Sequence, residues 1–209
     1  MTLPERISGA LENHPWLTSA YASDAGIVLL LNACGHAELH CQGRQSLLDS
    51  LQAHLTAQGL PAPRAWRLLD AMPDVMDDAA IVELLKASRP KMATPVAERH
   101  LDGIWTLSLR LPLDLVHFDD HFRKAPVLPG VVQVSWALAL AAPRLGTSTH
   151  CRDMEALKFQ RLLRPGDQLE LSLRYEDEAG AERGKLHFAY HIDGAHCSSG
   201  RLRVVRTHD

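Results

Sequence analysis

The sequence predicts an α+β protein of two units, and two patterns lead to this prediction. Up to residue 88, periodicities typical of helices and strands occur in the order helix, strand, strand, helix, strand, helix. From residue 96 onwards, five segments with the pattern of strands surround one long apolar segment. Helices and sheets both bury an apolar side against another element, so each pattern describes helices packed on a sheet. The predicted units are therefore residues 1–88 and 96–209.

The elements of the N-terminal unit follow from the spacing of its apolar residues. Helical spacing occurs in residues 4–14, 45–57 and 79–87, and strand patterns occur in residues 19–22, 26–33 and 64–69. Pro15 ends the first helix, and Gly59 closes the second. Residues 88–95 are polar and contain two prolines, so they form the predicted linker.

The C-terminal unit is predicted to be a set of strands around one helix. Residues 103–111 alternate between apolar and polar side chains, and further strands are predicted at 154–163, 168–175, 184–192 and 199–206. Turns are predicted at 165–167 and 177–180, where glycine follows proline or acidic residues. The run from Val131 to Ala142 carries little charge, which indicates a buried helix.

The composition excludes several classes of protein. A chain of 209 residues has the size for one or two domains. Its formal net charge of −3 lacks the excess of positive charge that is typical of nucleic-acid-binding proteins. No apolar run reaches the length of a membrane span, and the N-terminus does not have the pattern of a secretion signal. The four cysteines do not have the spacing of a disulfide framework, so we expect reduced thiols and a cytoplasmic location.

Residues 117–139 have the strongest features of a functional site. Two histidines and two aspartates lie within the first five residues, and a Pro-x-x-Pro-Gly turn ending at Gly130 leads into the apolar helix. Pro129 suits the first turn of a helix, and Gly130 lets the backbone approach a ligand closely. The free N–H groups and the dipole at such a helix start favour a developing negative charge.

These residues carry a resemblance to a known family. The pattern His121-Phe-x-x-x-Pro-x-x-Pro-Gly130-Val resembles the active-site motif of the hot-dog-fold (3R)-hydroxyacyl-carrier-protein dehydratases of fatty acid synthesis. Residues 128–137 are more similar to the dehydratases of aryl-polyene pigment clusters, and residues 157–161, 164–167 and 198–203 resemble later blocks of the same family. The resemblance covers residues 98–207 and implies a sheet wrapped around a central helix.

The resemblance also implies a substrate, an assembly and roles for residues. The substrate is a hydroxyacyl thioester on acyl carrier protein or coenzyme A, the assembly is a homodimer with sites built across subunits, and no cofactor or metal is needed. His121 is the expected base, since the pKa of histidine lies near the working pH. The N–H groups of Gly130 and Val131 are the expected oxyanion hole, and Phe122 and Pro129 are expected to contact substrate.

One position departs from the family pattern. The family places Asp or Glu fourteen residues after the histidine, and here that residue is Ser135. Three alternatives stay open. A water held by Ser135 works with His121 as base and acid, or Asp119 or Asp120 supplies the carboxylate, or the protein binds acyl chains or a partner enzyme without dehydrating. Thioesterase activity on the same fold is a further alternative.

Other polar residues have weaker patterns. Several basic residues are candidates to bind the phosphate on the arm of an acyl carrier protein. They are Arg123, Lys124, Lys158, Arg161 and Arg164. Two cysteines and two histidines lie within residues 34–41, but their spacing matches no zinc motif, so no metal site is predicted. His187 and His191 are expected on one exposed strand face.

The N-terminal unit has a resemblance of its own. Residues 11–17 and 63–73 resemble parts of the small C-terminal domain of adenylate-forming acyl-CoA synthetases. Those enzymes continue with an Asn-x-x-Gly-Lys segment, whose lysine meets the acyl phosphate. Residues 74–78 of this chain contain no lysine, so we expect a unit without adenylation chemistry.

Overall fold

The chain forms two compact units in the computed structural model, which describes residues 1–119, 125–178 and 183–207. The first unit consists of Met1–Lys91 and Pro112–Val127, and the second consists of Met92–Leu111 and Leu128–Asp209. A segment from the middle of the chain therefore belongs to the first unit. That segment leads into the motif that begins at His121.

The first unit is a three-stranded sheet between helices. In chain order the elements are α1 (Leu3–Leu11), β1 (Leu17–Ser23), β2 (Gly26–Leu31), α2 (Ala33–Ala57), β3 (Trp66–Leu69) and α3 (Asp78–Lys86). Strand β2 pairs with β1 antiparallel and with β3 in parallel. Successive side chains of β2 point to opposite faces, so Ile27, Leu29 and Leu31 pack with helices α1 and α2, whereas Val28 packs with helix α3.

Helix α2 begins twelve residues before its predicted start at 45. Asn32 caps it by accepting a hydrogen bond from the N–H of Gly35 at 3.0 Å. Gly43 interrupts the helix with φ 80° and ψ 170°, which separates a polar first half from the predicted apolar second half. The prediction followed the apolar stripe and therefore missed the first half.

The second unit is a sheet of six described strands with helix α4 packed against it. The strand order is β4-β5-β7-β8-β9-β6, and every neighbouring pair is antiparallel. The elements are β4 (Pro95–Leu101), β5 (Ile104–Arg110), α4 (Gly130–Leu145), β6 (Asp153–Phe159), β7 (Gln168–Asp177), β8 (Arg183–Ile192) and β9 (Ala195–Val205).

Helix α4 lies with its apolar side on this sheet. Trp136, Ala137 and Leu140 of the helix are buried, as are Leu171 and Phe188 on the core-facing positions of β7 and β8. This arrangement is the hot-dog fold, as predicted from the sequence. No helix in the described residues is both long and apolar enough to span a bilayer.

Strand β4 was not predicted, although the sequence contains a signal for it. Its side chains are mostly exposed and include Glu98, Arg99 and His100, so the strand has no apolar alternation. Its pairing with β5 is fixed by the turn Asp102-Gly103, in which both residues have positive φ, 51° and 74°. An Asp-Gly pair between two segments of equal length is a hairpin signal that is independent of hydrophobic patterning.

Candidate active site

The N-terminus of α4 presents free backbone N–H groups. Pro129 is the N-cap, and its carbonyl accepts hydrogen bonds from the N–H groups of Val132 at 3.0 Å and Gln133 at 3.1 Å. The N–H groups of Gly130 and Val131 have no partner among the described residues. Val131 is exposed, so these two donors lie where a ligand can approach. The arrangement suits an oxyanion.

A buried glutamine connects this helix start to the sheet. The side-chain N–H of Gln133 donates to the carbonyl of Leu128 at 3.0 Å, and its side-chain oxygen accepts from the hydroxyl of Ser198 at 2.5 Å. The hydroxyl of Tyr190 donates to the Gln133 carbonyl at 2.9 Å. Burial raises the pKa of Tyr190, so this donor stays protonated. The network fixes the backbone on both sides of Pro129.

Sequence reasoning missed this network. Its one visible signal is Gln133 itself, a polar residue in the middle of an apolar run, because a buried amide needs partners. Those partners, Tyr190 and Ser198, come from strands more than fifty residues away in the sequence.

Ser135 lies on the side of α4 that faces away from the sheet. It is exposed and follows Val131 by four residues, so the two side chains share one face of the helix. The structure therefore brings Pro129, Gly130, Val131 and Ser135 together within the first two turns. Trp136, next along the chain, is buried on the opposite side.

The aromatic ring of Phe159 lies directly beside Gly130. A Cβ atom at position 130 would come within 2.7 Å of the ring, so only glycine fits without displacing it. Phe159 ends the edge strand β6 and is half exposed. It is a further candidate substrate contact, within the block of residues 157–161 noted above.

His121 and Phe122 lie outside the described residues, as do Asp120, Arg123 and Lys124. The residues just before them are described. A 3₁₀ turn spans Val116–Phe118, and Phe118 is buried. The carboxylate of Asp119 forms a bidentate ion pair with Arg89. Arg89 engages both oxygens of this carboxylate, which weighs against Asp119 as the substitute for the carboxylate that the resemblance implies at position 135.

The structure also describes the other charged and histidine candidates. Lys158 lines a cavity of about 400 Å³ on the second unit together with Arg174, His187 and Arg201. Burial, and then the charge of Arg174, lowers the pKa of His187. His187 and His191 are half buried, not exposed as expected.

Two further candidates belong to other parts of the fold. The Arg164 N–H donates to the Asp167 carboxylate at 2.7 Å and shapes the turn at Gly166. The cysteines and histidines at 34–41 lie on α2, and in the described residues no three His, Cys, Asp or Glu side chains converge as metal ligands.

Comparisons with known proteins agree on the C-terminal half. The family described as ApeI-like, ApeI dehydratase, matches residues 97–201, which is half of the chain. A 3-hydroxyacyl-[acyl-carrier-protein] dehydratase FabZ from Jannaschia sp. is 32% identical over 88 residues, covering 37% of this chain and 55% of the relative's length. The FabZ of Oenococcus oeni is 31% identical over 97 residues, covering 43% of this chain and 69% of the relative.

One solved structure aligns with a similar share of the chain. The dehydratase heterocomplex ApeI:P from Xenorhabdus doucetiae has a chain with 27% identity and a TM-score of 0.48, covering 55% of this chain and 99% of that chain. The family match begins at residue 97, so the N-terminal unit up to Lys91 lies outside it.

Proposed function

The chain belongs to the ApeI-like dehydratase family, and on this premise we propose that it dehydrates a 3-hydroxyacyl thioester carried by an acyl carrier protein. The observation that carries the proposal is the pair of backbone N–H groups at Gly130 and Val131, which are unpartnered among the described residues. Donors fixed at a helix start stabilise charge that develops on a thioester oxygen. The pathway is fatty acid or polyene pigment synthesis.

His121 starts the proposed reaction as the base. It takes the proton from the carbon next to the thioester carbonyl, and the electrons move onto the thioester oxygen. The N–H groups of Gly130 and Val131 hold that oxygen while it is negative. The electrons then return to form the carbon–carbon double bond, the bond to the 3-hydroxyl breaks, and this group leaves with a proton as water.

The departing hydroxyl needs a proton, and Ser135 is not acidic enough to supply it. We assign this role to His121, which is an imidazolium after the first step and can give that proton to the departing hydroxyl. Ser135 has the position to hold a water that carries this proton, because it shares the exposed face of α4 with Val131. The reaction then needs only acid–base groups and hydrogen-bond donors.

A homodimer completes the proposed site. The edge strand β6 exposes Met154, Leu157 and Phe159, next to the exposed start of α4. An unpaired edge with apolar side chains is suited to pairing with another strand. Edge-to-edge pairing of two copies through β6 would cover these side chains and place the exposed face of α4 near its partner.

The test is turnover of 3-hydroxyacyl and enoyl thioesters, followed by the absorbance of the conjugated thioester. The His121→Ala variant is expected to lose on the order of 10²–10⁴-fold in rate, as for an essential acid–base residue. His150→Ala is the matched control, since that histidine is exposed, lies outside the motif and has no assigned role. Equal rates in the two variants would remove His121 as the base.

The second candidate function is a binding module, and the serine at position 135 favours it. If the wild type converts no thioester while Ser135→Asp does, the dehydratase proposal fails and the binding-module proposal gains. Release of free thiol in the same assay would instead identify a thioesterase.

A further inference from the structure

One buried carboxylate in the first unit is surrounded by three arginines. Asp114 is almost completely buried, and its oxygens lie 2.5 Å from Nε of Arg44, 3.2 Å from Nε of Arg89 and 3.5 Å from Nη1 of Arg67. A buried charge requires partners, and removing them is costly. These four residues are called the arginine cluster below.

The arginines of this cluster come from three separate parts of the first unit. Arg44 belongs to α2 and also donates to the carbonyl of Trp66 at 3.0 Å. Arg67 belongs to β3 and donates to the carbonyl of Leu84 at 2.9 Å. Arg89 follows α3. The cluster therefore joins the N-terminal elements to the segment that contains Asp114.

Arg89 holds both ends of the short segment from Asp114 to Asp119. Its guanidinium donates to the carbonyls of Asp114 at 3.0 Å and Leu115 at 3.1 Å, and it forms the ion pair with Asp119. Burial acts to lower the pKa of Arg89, but the bonds and charges of Asp119 and Asp114 outweigh burial and raise it. Arg89 is thus a permanent cation.

Backbone hydrogen bonds attach the same segment to the first unit. The N–H of Leu113 donates to the carboxylate of Asp70 at 2.8 Å, and the N–H of Val116 donates to the carbonyl of Pro90 at 3.0 Å. The Leu113 side chain is part of the apolar core of this unit. Residues 113–119 are therefore attached to the first unit by side-chain, backbone and apolar contacts.

We propose that Arg89 is a positioning residue for dehydration, through which the N-terminal unit fixes the point where the chain continues to His121. His121 follows Asp119 by two residues. This inference rests on the proposed function of His121 as base. Arg89 precedes the family match, which begins at residue 97, whereas its partners Asp114 and Asp119 lie within the matched residues. A base must lie within hydrogen-bond reach of its proton, and a shift of about 1 Å costs roughly 10²-fold in rate.

The test compares Arg89→Met with Arg144→Met in the full-length protein. Arg144 is a matched control in the second unit, because its ion pair with Glu98 has side-chain exposures of 17% and 47%, against 20% and 39% for Arg89 and Asp119. We expect kcat of Arg89→Met to fall by about 10–100-fold with KM within about threefold, and Arg144→Met to keep kcat within about threefold. Arg89→Lys should be intermediate, since an ammonium lacks the planar fork.

A second readout does not depend on turnover. Amide hydrogen exchange at Val116, Phe118 and Asp119 should become faster in Arg89→Met than in Arg144→Met, because the carbonyls that Arg89 holds are released. If Arg89→Met does not fold, Asp119→Asn with Glu98→Gln as its control replaces it. Asp119→Asn should lower kcat by about 3–10-fold without changing the shape of the pH profile, which a catalytic acid would change.

The outcomes separate this inference from the proposed function. An active wild type with equal kcat in Arg89→Met and Arg144→Met overturns the positioning role alone. Equal losses of kcat in both variants also overturn it, because they indicate general destabilisation. A wild type that converts no hydroxyacyl thioester overturns the positioning role and the proposed function together.

Discussion

Residue 135 is the position where the sequence departs from the motif of the dehydratases that it resembles. Ser135→Ala should lower kcat by less than about tenfold, because a hydroxyl that holds a water contributes roughly one ordinary hydrogen bond, about 0.5–1.5 kcal/mol. Ser135→Asp should raise kcat, because it provides a group that can carry a proton on the exposed face of α4. Steady-state kinetics on one 3-hydroxyacyl thioester measures both changes. Ser148→Asp, outside the helix, is the control for an added charge, and a rate increase there would contradict the explanation.

A second prediction at this scale concerns His14 and pH. Burial, and then the charge of His54, lowers the pKa of His14 from its ordinary value of 6.5. Its Nδ1 accepts a hydrogen bond from the N–H of Trp16 at 3.3 Å, which a protonated nitrogen cannot do. Below the ordinary pKa the unfolded chain binds more protons than the folded one, so the free energy of unfolding falls as pH falls through this window.

Replacing His14 with asparagine tests this linkage. The amide oxygen of asparagine can accept the same hydrogen bond and does not titrate. Urea unfolding from about pH 7.5 to about pH 5.5 should lose less stability in His14→Asn than in the wild type. His150→Asn, at an exposed histidine, is the control. If both variants follow the wild-type pH dependence, His14 is not the group responsible.

At the scale of elements, the buried Gln133 network should determine the stability of α4 on its sheet. Gln133→Met keeps the size of the side chain but leaves the hydroxyl of Ser198 and the carbonyl of Leu128 without this partner. Each buried group left unsatisfied costs about 1–3 kcal/mol. The free energy of unfolding of the second unit should fall accordingly. Gln160→Met, at an exposed glutamine bound to His196, is the control and should change stability much less.

Most elements that the sequence predicted have an apolar period, although the predicted strand β6 is mostly exposed. The second half of α2, helix α4 and strands β5, β7 and β8 bury one side, and this burial is visible as spacing. The first half of α2 and strand β4 bury little, so spacing does not reveal them. They depend instead on Asn32 as a helix cap and on the Asp102-Gly103 turn, which are local signals of another kind.

The same reasoning explains how much of the candidate site was predictable. Pro129, Gly130, Val131 and Ser135 lie at the N-cap and in the first two turns of one helix, so the sequence alone places them together. The partners of Gln133 and the contacts of Arg89 join residues far apart in the chain. No single-sequence pattern reports such pairs, because they arise only when the strands and the N-terminal elements are assembled.

At the scale of the whole molecule, the open edge of the sheet leads to the last prediction. The sheet ends at β4 on one side and at β6 on the other. Both edges carry charged side chains, but β6 also exposes Met154, Leu157 and Phe159, and the ring of Phe159 lies beside Gly130 at the start of α4. Apolar side chains on an open edge favour pairing with another strand. We expect a homodimer through β6.

Sedimentation at micromolar concentration measures this assembly. The wild type should be a dimer, and Phe159→Asp should dissociate it, because two carboxylates would be brought into an apolar contact. Val96→Asp is the matched control, since Val96 is an exposed apolar residue on the opposite edge strand. If Val96→Asp dissociates the protein while Phe159→Asp does not, the dimer uses the β4 edge. If the wild type is monomeric and still converts hydroxyacyl thioester, then one chain contains the complete site, and Ser135 acts without a partner subunit.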